Sequence, residues 1–337
     1  MIDLNSAQIE TLFENFSQKK IAVLGDVMVD AYIRGGVNRI SPEAPVPIIN
    51  FEKNEERLGG AANVALNLVA LGAETIICSV IGSDEYGYKL KELLLESGIS
   101  NAGIVQSSTR KTTVKTRVIG NNQQLIRIDA EQTNDISESE ETQLIQSVKQ
   151  LVESGIDALI FEDYNKGVLT ERVIQEVIHL CQQNDVKTTV DPKKKNFLTY
   201  KEVTLFKPNL KELKEGLELS FQFEERNQFL DAVALLNKKL NNEITFVTLS
   251  EHGVFIQDDE NKHFIPAHLR NIADVSGAGD TVISVATLCL ISGLSIQNLA
   301  AISNLAGGLV CEQSGVVSID KRILKSEILD LYQNGKA

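Results

Sequence analysis

Short apolar runs recur along this chain, and helix-patterned segments stand between them. The runs are IAVLGD (21–26), ETIICSVIG (74–82), DALIFED (157–163), KTTVD (187–191), VTLFKPN (203–209) and ITFVTLS (244–250). Apolar runs without polar alternation suit strands buried on both faces, as in parallel sheets joined by helical crossovers. Strands alternating with helices therefore predict an α/β fold, with right-handed βαβ units around a mainly parallel sheet. The helices carry their own punctuation. GGAANVALNLVALG (59–72) opens at Gly59-Gly60 and closes at Gly72, and Ser137-x-x-Glu140 is a capping-box pattern. Ile174, Val177, Ile178 and Cys181 mark one apolar helical face.

Two stretches break the alternation. Residues 31–57 hold Pro42, Pro45, Pro47 and the run VPIINF, and residues 109–131 alternate Val114, Thr116 and Val118 with basic residues before Gly120-Asn121-Asn122. The second is hairpin chemistry. Together the stretches are expected to form a small β lid over one end of the sheet. No internal repeat or linker divides the chain, so residues 1–337 read as one domain.

The net charge of −13 argues against nucleic acid or an anionic membrane as partner. An anionic ligand would need a local concentration of cations. Cys78, Cys181, Cys289 and Cys311 lie in apolar segments without Cys-x-x-Cys spacing and read as buried free thiols. The apolar stretch 281–311 is interrupted by polar residues and by Gly293, giving two core helices rather than a membrane span. With no leader-like N-terminus, a cytoplasmic protein is expected.

Ligands of open α/β sheets bind beyond the carboxyl ends of the strands. Asp26, Asp163, Asp191 and Asn209 stand at such ends. The run Asp274-Val-Ser-Gly-Ala-Gly-Asp280-Thr281 precedes an apolar helix. Amides of Gly277, Ala278 and Gly279 at a helix N-terminus suit a phosphate, and Asp280 is placed to take a proton from an attacking hydroxyl. A plain glycine turn with a helix-capping Asp fits the same letters. Asp26 and Asp30 follow the first strand and could line a polyol pocket, while Gly59, Gly60 and Asn63 could bind hydroxyls or simply form a packed turn. Asn209-Leu-Lys-Glu212 opens a helix after Pro208. Glu212 is either a capping group or, beside a nucleotide, a holder of magnesium's waters. Arg39, Lys115, Arg117 and Arg127 lie in the expected lid, and Lys166 and Lys193 lie past strand ends. The four histidines show no metal-ligand spacing.

In this order, Gly-Gly-x-x-Asn, Asn-x-x-Glu and Gly-Ala-Gly-Asp resemble the ribokinase-like (pfkB) carbohydrate kinase family over nearly the whole chain. Within it, Gly25–Asp30, Arg39–Pro47, Gly59–Ala65, Gln124–Asp129 and Asp274–Thr281 look like the kinases of D-glycero-D-manno-heptose 7-phosphate. The resemblance implies a three-layer ribokinase-like fold. It also implies ATP-dependent phosphorylation of the anomeric hydroxyl to the 1,7-bisphosphate, on the route to ADP-heptose for lipopolysaccharide. It assigns Asp280 and the amides of Gly277, Ala278 and Gly279 to catalysis. Asp26, Asp30, Gly59, Gly60 and Asn63 are assigned to sugar hydroxyls, and Arg39, Arg127, Lys166 and Lys193 to the substrate's phosphate. The nucleotide falls to Asn209, Leu210, Lys211, Glu212, Ser250, Gly253 and Asn304. Asn209 and Glu212 would position Mg²⁺ through water, and Asp274, Ser276 and Gly315 are candidates for K⁺. A homodimer through the β lid is expected.

The sequence holds no His-x-Gly-His signature of an attached adenylyltransferase, so a stand-alone kinase is expected. It departs from the family at Asp191-Pro-Lys-Lys-Lys195, where Asp-Pro-Lys-Gly is usual, and at Lys207-Pro208, where Thr-Pro is commoner. The alternatives are a kinase of another sugar or sugar phosphate, or a non-catalytic sugar- or nucleotide-binding sensor.

Overall fold

A computed structural model describes residues 2–268 and 270–334. Helix α1 (Ser6–Phe16) opens with a capping box from Asn5 and Gln8 and leads into strand β1 (Lys20–Gly25). Strands β2 (Val27–Ile40) and β3 (Pro47–Gly60) follow, then α2 (Ala61–Leu71), β4 (Glu74–Gly82), α3 (Glu85–Glu96) and β5 (Ser100–Ser107). Next come β6 (Val114–Gly120), β7 (Gln123–Ala130), α4 (Glu138–Glu153), β8 (Ala158–Glu162), α5 (Glu171–Gln183) and β9 (Lys187–Asp191). The chain continues through β10 (Leu205–Phe206), α6 (Leu210–Gly216), α7 (Arg226–Leu240), β11 (Ile244–Thr248), β12 (Val254–Gln257) and β13 (Lys262–Ile265). It closes with α8 (Ala278–Ile291), α9 (Ile296–Cys311) and α10 (Lys321–Asn334).

Among the described residues the large sheet has nine strands in the order β13-β12-β11-β10-β9-β8-β1-β4-β5. Its pairs are parallel except β11 with β12 and β12 with β13. Alternate residues of β1 serve opposite faces. Ile21 and Val23 join the core built with α1, α2, α8, α9 and α10, and Ala22 and Leu24 join the core built with α4, α5 and α7. Two cores flanking one sheet make the expected three-layer α/β fold.

Strands β2, β3, β6 and β7 form a second sheet in the order β3-β2-β6-β7. The stretches 31–57 and 109–131 contribute to it, but β2 and β3 run on to Val27 and Gly60. Asp30 and Gly59 are therefore strand residues of this sheet, and Gly60 ends β3 while serving as the N-cap of α2, so the helix opens at the glycine pair as expected. The turn between β6 and β7 uses Asn121 and Asn122 at φ 50° and 64°, a left-handed pair that suits an Asn-Asn hairpin.

The expected strand 203–209 shortens to β10, because Pro208 has no N–H for the ladder. The chain stays extended beside the sheet, where Lys207 donates its amide to Val190 O and Asn209 bridges to Thr248. No described helix is long and apolar enough to cross a membrane.

Candidate active site

Strands β1, β8 and β9 end level. Gly25 pairs with Glu162, and Glu162 pairs with Asp191, so three neighbouring strands deliver side chains to one edge of the sheet. Helix α8 arrives at that edge with its N-terminus. Gly277 is its N-cap at φ 81°, a left-handed conformation that favours glycine, and a Cβ there would lie 2.9 Å from Val316. Ala278, Gly279 and Asp280 form the first turn, with their amides at the positive end of a 14-residue helix.

Asp280 is buried, and its Oδ1 accepts the Tyr164 hydroxyl at 3.1 Å. Burial and then the charge of Asp191 push its carboxyl up to about 6, while hydrogen bonds to Tyr164 and Asn63 pull the other way. Oxygens of Glu162, Asp191 and Asp280 lie within 4.8 Å of one another. Glu162 Oε2 has no hydrogen-bond partner among the described residues, and burial followed by Asp191 raises its carboxyl well above the usual range. Lys207 balances this cluster from within, its ammonium 2.7 Å from Asp191 Oδ2 and almost wholly buried. Burial opposes its charge, but Asp191 and Glu212 outweigh that and raise its pKa. Hard oxygen donors with one partnerless oxygen are what a magnesium ion requires.

The Asn209–Glu212 pair is a reciprocal capping box on α6, with Asn209 Oδ1 accepting from the Glu212 amide and Glu212 Oε2 from the Asn209 amide. The remaining Glu212 oxygen holds Lys193 Nζ at 2.6 Å. Capping and proximity to the acidic cluster thus coexist. Leu210 and Lys211 lie in the first turn of α6, where Lys211 is exposed and pairs with Glu215. Ser250 and Gly253 flank a turn just past Thr248, the bridge partner of Asn209. Asn304 donates to Pro266 O from α9. Asp274 joins the other two potassium candidates, because its carboxylate accepts the amides of Ser276 at 2.9 Å and Gly315 at 3.1 Å.

Next to Asn63, a cavity of about 280 Å³ is lined by Asp30, Tyr32, Arg57, Asn63, Asn67 and Val316, among others. A Cβ on Gly59 would stand 2.5 Å from Asp30 Oδ2, so only glycine allows the Asp30 carboxylate to lie against that backbone. Asp30 pairs with Arg117 Nη1.

Several expected contacts do not converge there. Asp26 is buried, and its carboxylate accepts the backbone amides of Tyr164 and Lys166 at 3.0 Å and of Val168 at 3.1 Å. It braces the 163–168 turn, a correction to its place in a polyol pocket. Arg39 is exposed at the distal end of β2, opposite Ile48. Arg127 pairs with Asp129 on its own strand, and Lys166 with Glu131 at 2.8 Å. Lys193 sits with Glu212 and Asp191, on the nucleotide side of the expected arrangement rather than the phosphate end of a sugar.

Glu162, Tyr164 and Lys207 are members of the site that sequence reasoning left without a role. Their signal was positional, since Glu162 and Tyr164 stand at or just past the carboxyl end of β8 and Lys207 just past that of β10, on either side of β9.

Residues 18–322 match the family model for pfkB family carbohydrate kinases. The "Bifunctional protein HldE" of Sulfurimonas denitrificans is 40% identical over 300 residues, covering 89% of this chain and 62% of the relative. The HldE of Aliarcobacter butzleri is 39% identical over 295 residues, covering 88% and 61%. The chain thus spans little over 60% of the length of these curated relatives. Among solved structures, phosphofructokinase-2 from Escherichia coli in complex with potassium superposes with a TM-score of 0.76 at 18% identity, covering 94% of this chain and 99% of that one. Arabidopsis thaliana ribokinase complexed with ribose and ATP gives 0.70 at 17% identity, covering 92% and 98%. At such identities the likeness establishes the ribokinase-like fold.

Proposed function

The chain belongs to the pfkB family of carbohydrate kinases, and from that premise we propose that it moves the γ-phosphoryl group of ATP onto the anomeric hydroxyl of D-glycero-D-manno-heptose 7-phosphate. The observation that carries the kinase chemistry is Asp280, buried at the first turn of α8 and oriented by Tyr164 and Asn63. With its carboxyl at about 6, Asp280 is mostly ionised at neutral pH and close enough in basicity to accept a proton from a hydroxyl. As the hydroxyl oxygen bonds to the γ-phosphorus, its proton passes to Asp280 and the bond to the departing ADP oxygen breaks. The amides of Gly277, Ala278 and Gly279 stabilise charge on the transferring group.

Asp30, Gly59, Gly60 and Asn63 hold the sugar, and Asn209, Leu210, Lys211, Glu212, Ser250, Gly253 and Asn304 hold the nucleotide. Glu162 and Asp191 would hold Mg²⁺, directly or through water, rather than Asn209 and Glu212, whose side chains are engaged in the capping box and with Lys193, and the ion would supply charge neutralisation to the phosphates. Asp274, Ser276 and Gly315 would hold K⁺. The choice of heptose 7-phosphate rests on the motif resemblance described above, and the 40% identity to the "Bifunctional protein HldE" of Sulfurimonas denitrificans supports it. The small sheet acts as the lid over the sugar, and its apolar face joins two copies.

A coupled ADP-release assay across heptose 7-phosphate, fructose 6-phosphate, ribose and fructose tests the reading. Heptose 7-phosphate should give the highest kcat/KM by at least tenfold. Preference for ribose or fructose would overturn the substrate, and no turnover of any of the four would overturn the kinase.

A further inference from the structure

Strand register places one set of charged residues together on the small sheet. Asp30 is opposite Arg57, Tyr32 is opposite Glu55 on one side and Arg117 on the other, and Arg34 is opposite Lys53. Directly paired residues, and residues two apart on a strand, share a face. Three guanidinium groups consequently surround the Tyr32 ring, with carbons 5.2 Å (Arg57), 5.3 Å (Arg117) and 5.8 Å (Arg34) from its centroid. Their counterions are few. Glu55 alone serves Arg34 at 3.4 Å, Arg57 at 3.5 Å and Lys53, and Asp30 serves Arg117. Among the described residues these four cations form their ion pairs with two carboxylates, in a protein of net charge −13.

This cluster has a definite place relative to Asp280. Asn63 hydrogen-bonds Asp280 and lines the cavity that Asp30, Tyr32 and Arg57 also line. The order is base, amide, hydroxyl-binding carboxylate, then cations. A ligand matching it carries a reactive hydroxyl at one end, further hydroxyls between, and a dianion at the other.

We propose that Arg34, Arg57 and Arg117, arrayed around Tyr32, form the binding site for the phosphomonoester of a sugar phosphate. Guanidinium groups present paired N–H donors to phosphate oxygens, and the aromatic ring holds them in a common orientation. The proposal rests on the sugar-phosphate reading above and replaces Arg39, Arg127, Lys166 and Lys193 as the groups that meet the phosphate.

The test compares the wild type with Arg34→Gln, Arg57→Gln and the double variant, using Arg57→Lys as the conservative control. Arg117 is left intact because it also holds Asp30. For heptose 7-phosphate, KM should rise about tenfold to a hundredfold for each lost charge-assisted contact. KM for ATP and for the same heptose without its phosphate should stay within twofold, and Arg57→Lys should recover part of the loss. Equal losses on both sugars, or an unchanged KM for the phosphorylated one, would overturn the site.

A second readout needs no turnover. Inorganic phosphate and fructose 6-phosphate should raise the melting temperature of the wild type, and the double variant should lose that shift while its ligand-free melting temperature holds. If the wild type shows the shift but does not phosphorylate heptose 7-phosphate, the arginine site stands and the substrate reading falls. If no phosphate compound shifts the wild type, the arginine site falls.

Discussion

At the scale of single residues, Asp280 holds a charge where the fold disfavours one. Its carboxyl titrates at about 6 in the folded protein against 3.8 for an ordinary aspartate, chiefly because it is buried. The folded state therefore prefers the protonated acid. Stability is lost as pH rises from about 4 to about 6, and the penalty is complete above that window. Asp280→Asn removes the charge, so the variant should be more stable than the wild type at pH 7.5 by on the order of 2–3 kcal/mol, a gain that shrinks toward pH 4. Its turnover should fall by roughly two to four orders of magnitude, the usual scale for a general base. In the wild type, kcat should decline as pH falls through about 6. Denaturant melts at the two pH values, together with a pH–rate profile, check all three statements. An asparagine variant that is active, or less stable at pH 7.5, would remove Asp280 from this role.

At the scale of elements, the start of α8 divides its work between two glycines. Gly277 has the left-handed conformation and the 2.9 Å approach to Val316, whereas a Cβ on Gly279 would make only ordinary contacts with Asp191 at 3.5 Å and Lys207 at 3.8 Å. Gly277→Ala should cost about 1–2 kcal/mol of stability. Gly279→Ala should leave the melting temperature nearly unchanged and lower kcat, because its methyl group enters the space where the phosphate must approach. Melting curves and steady-state kinetics on both variants separate the effects, and a fully active Gly279→Ala would make the turn purely structural.

The turn itself was legible in the sequence, as were most strands of the large sheet, because apolar runs and glycine punctuation report local backbone needs. What lay out of reach was lateral. Nothing local in Glu162, Tyr164 or Lys207 says that β8 and β10 flank β9 and deliver side chains to one edge. Arg34 and Arg57 gain their meaning only from the register of β2 with β3 and β6. Asp26 misled for the same reason, since a carboxylate after a strand looks alike whether it faces a ligand or three backbone amides.

At the scale of the whole molecule, the small sheet has a second face opposite the arginines. Ile33, Phe51, Val118, Ile126 and Ile128 fall on it by register, and Phe51, Ile126 and Ile128 are 67%, 55% and 54% exposed. A contiguous apolar face of this kind is a liability unless another surface covers it. A two-fold pairing with a second copy is the simplest cover. Light scattering on a size-exclusion column should give a dimer for the wild type and a monomer for Phe51→Asp/Ile128→Asp. A wild-type monomer, or a variant that remains dimeric, would place any interface elsewhere.

The bracing carboxylate of Asp26 also bears on how substrate binding is spent. It ties the amides of Tyr164, Lys166 and Val168 to the end of the central strand, and Tyr164 reaches Asp280 from that tethered turn. The conformational entropy of ordering Tyr164 is thus lost once, when the chain folds. None of the sugar's or nucleotide's association free energy need be diverted to immobilising that phenol, and it remains available for the transition state.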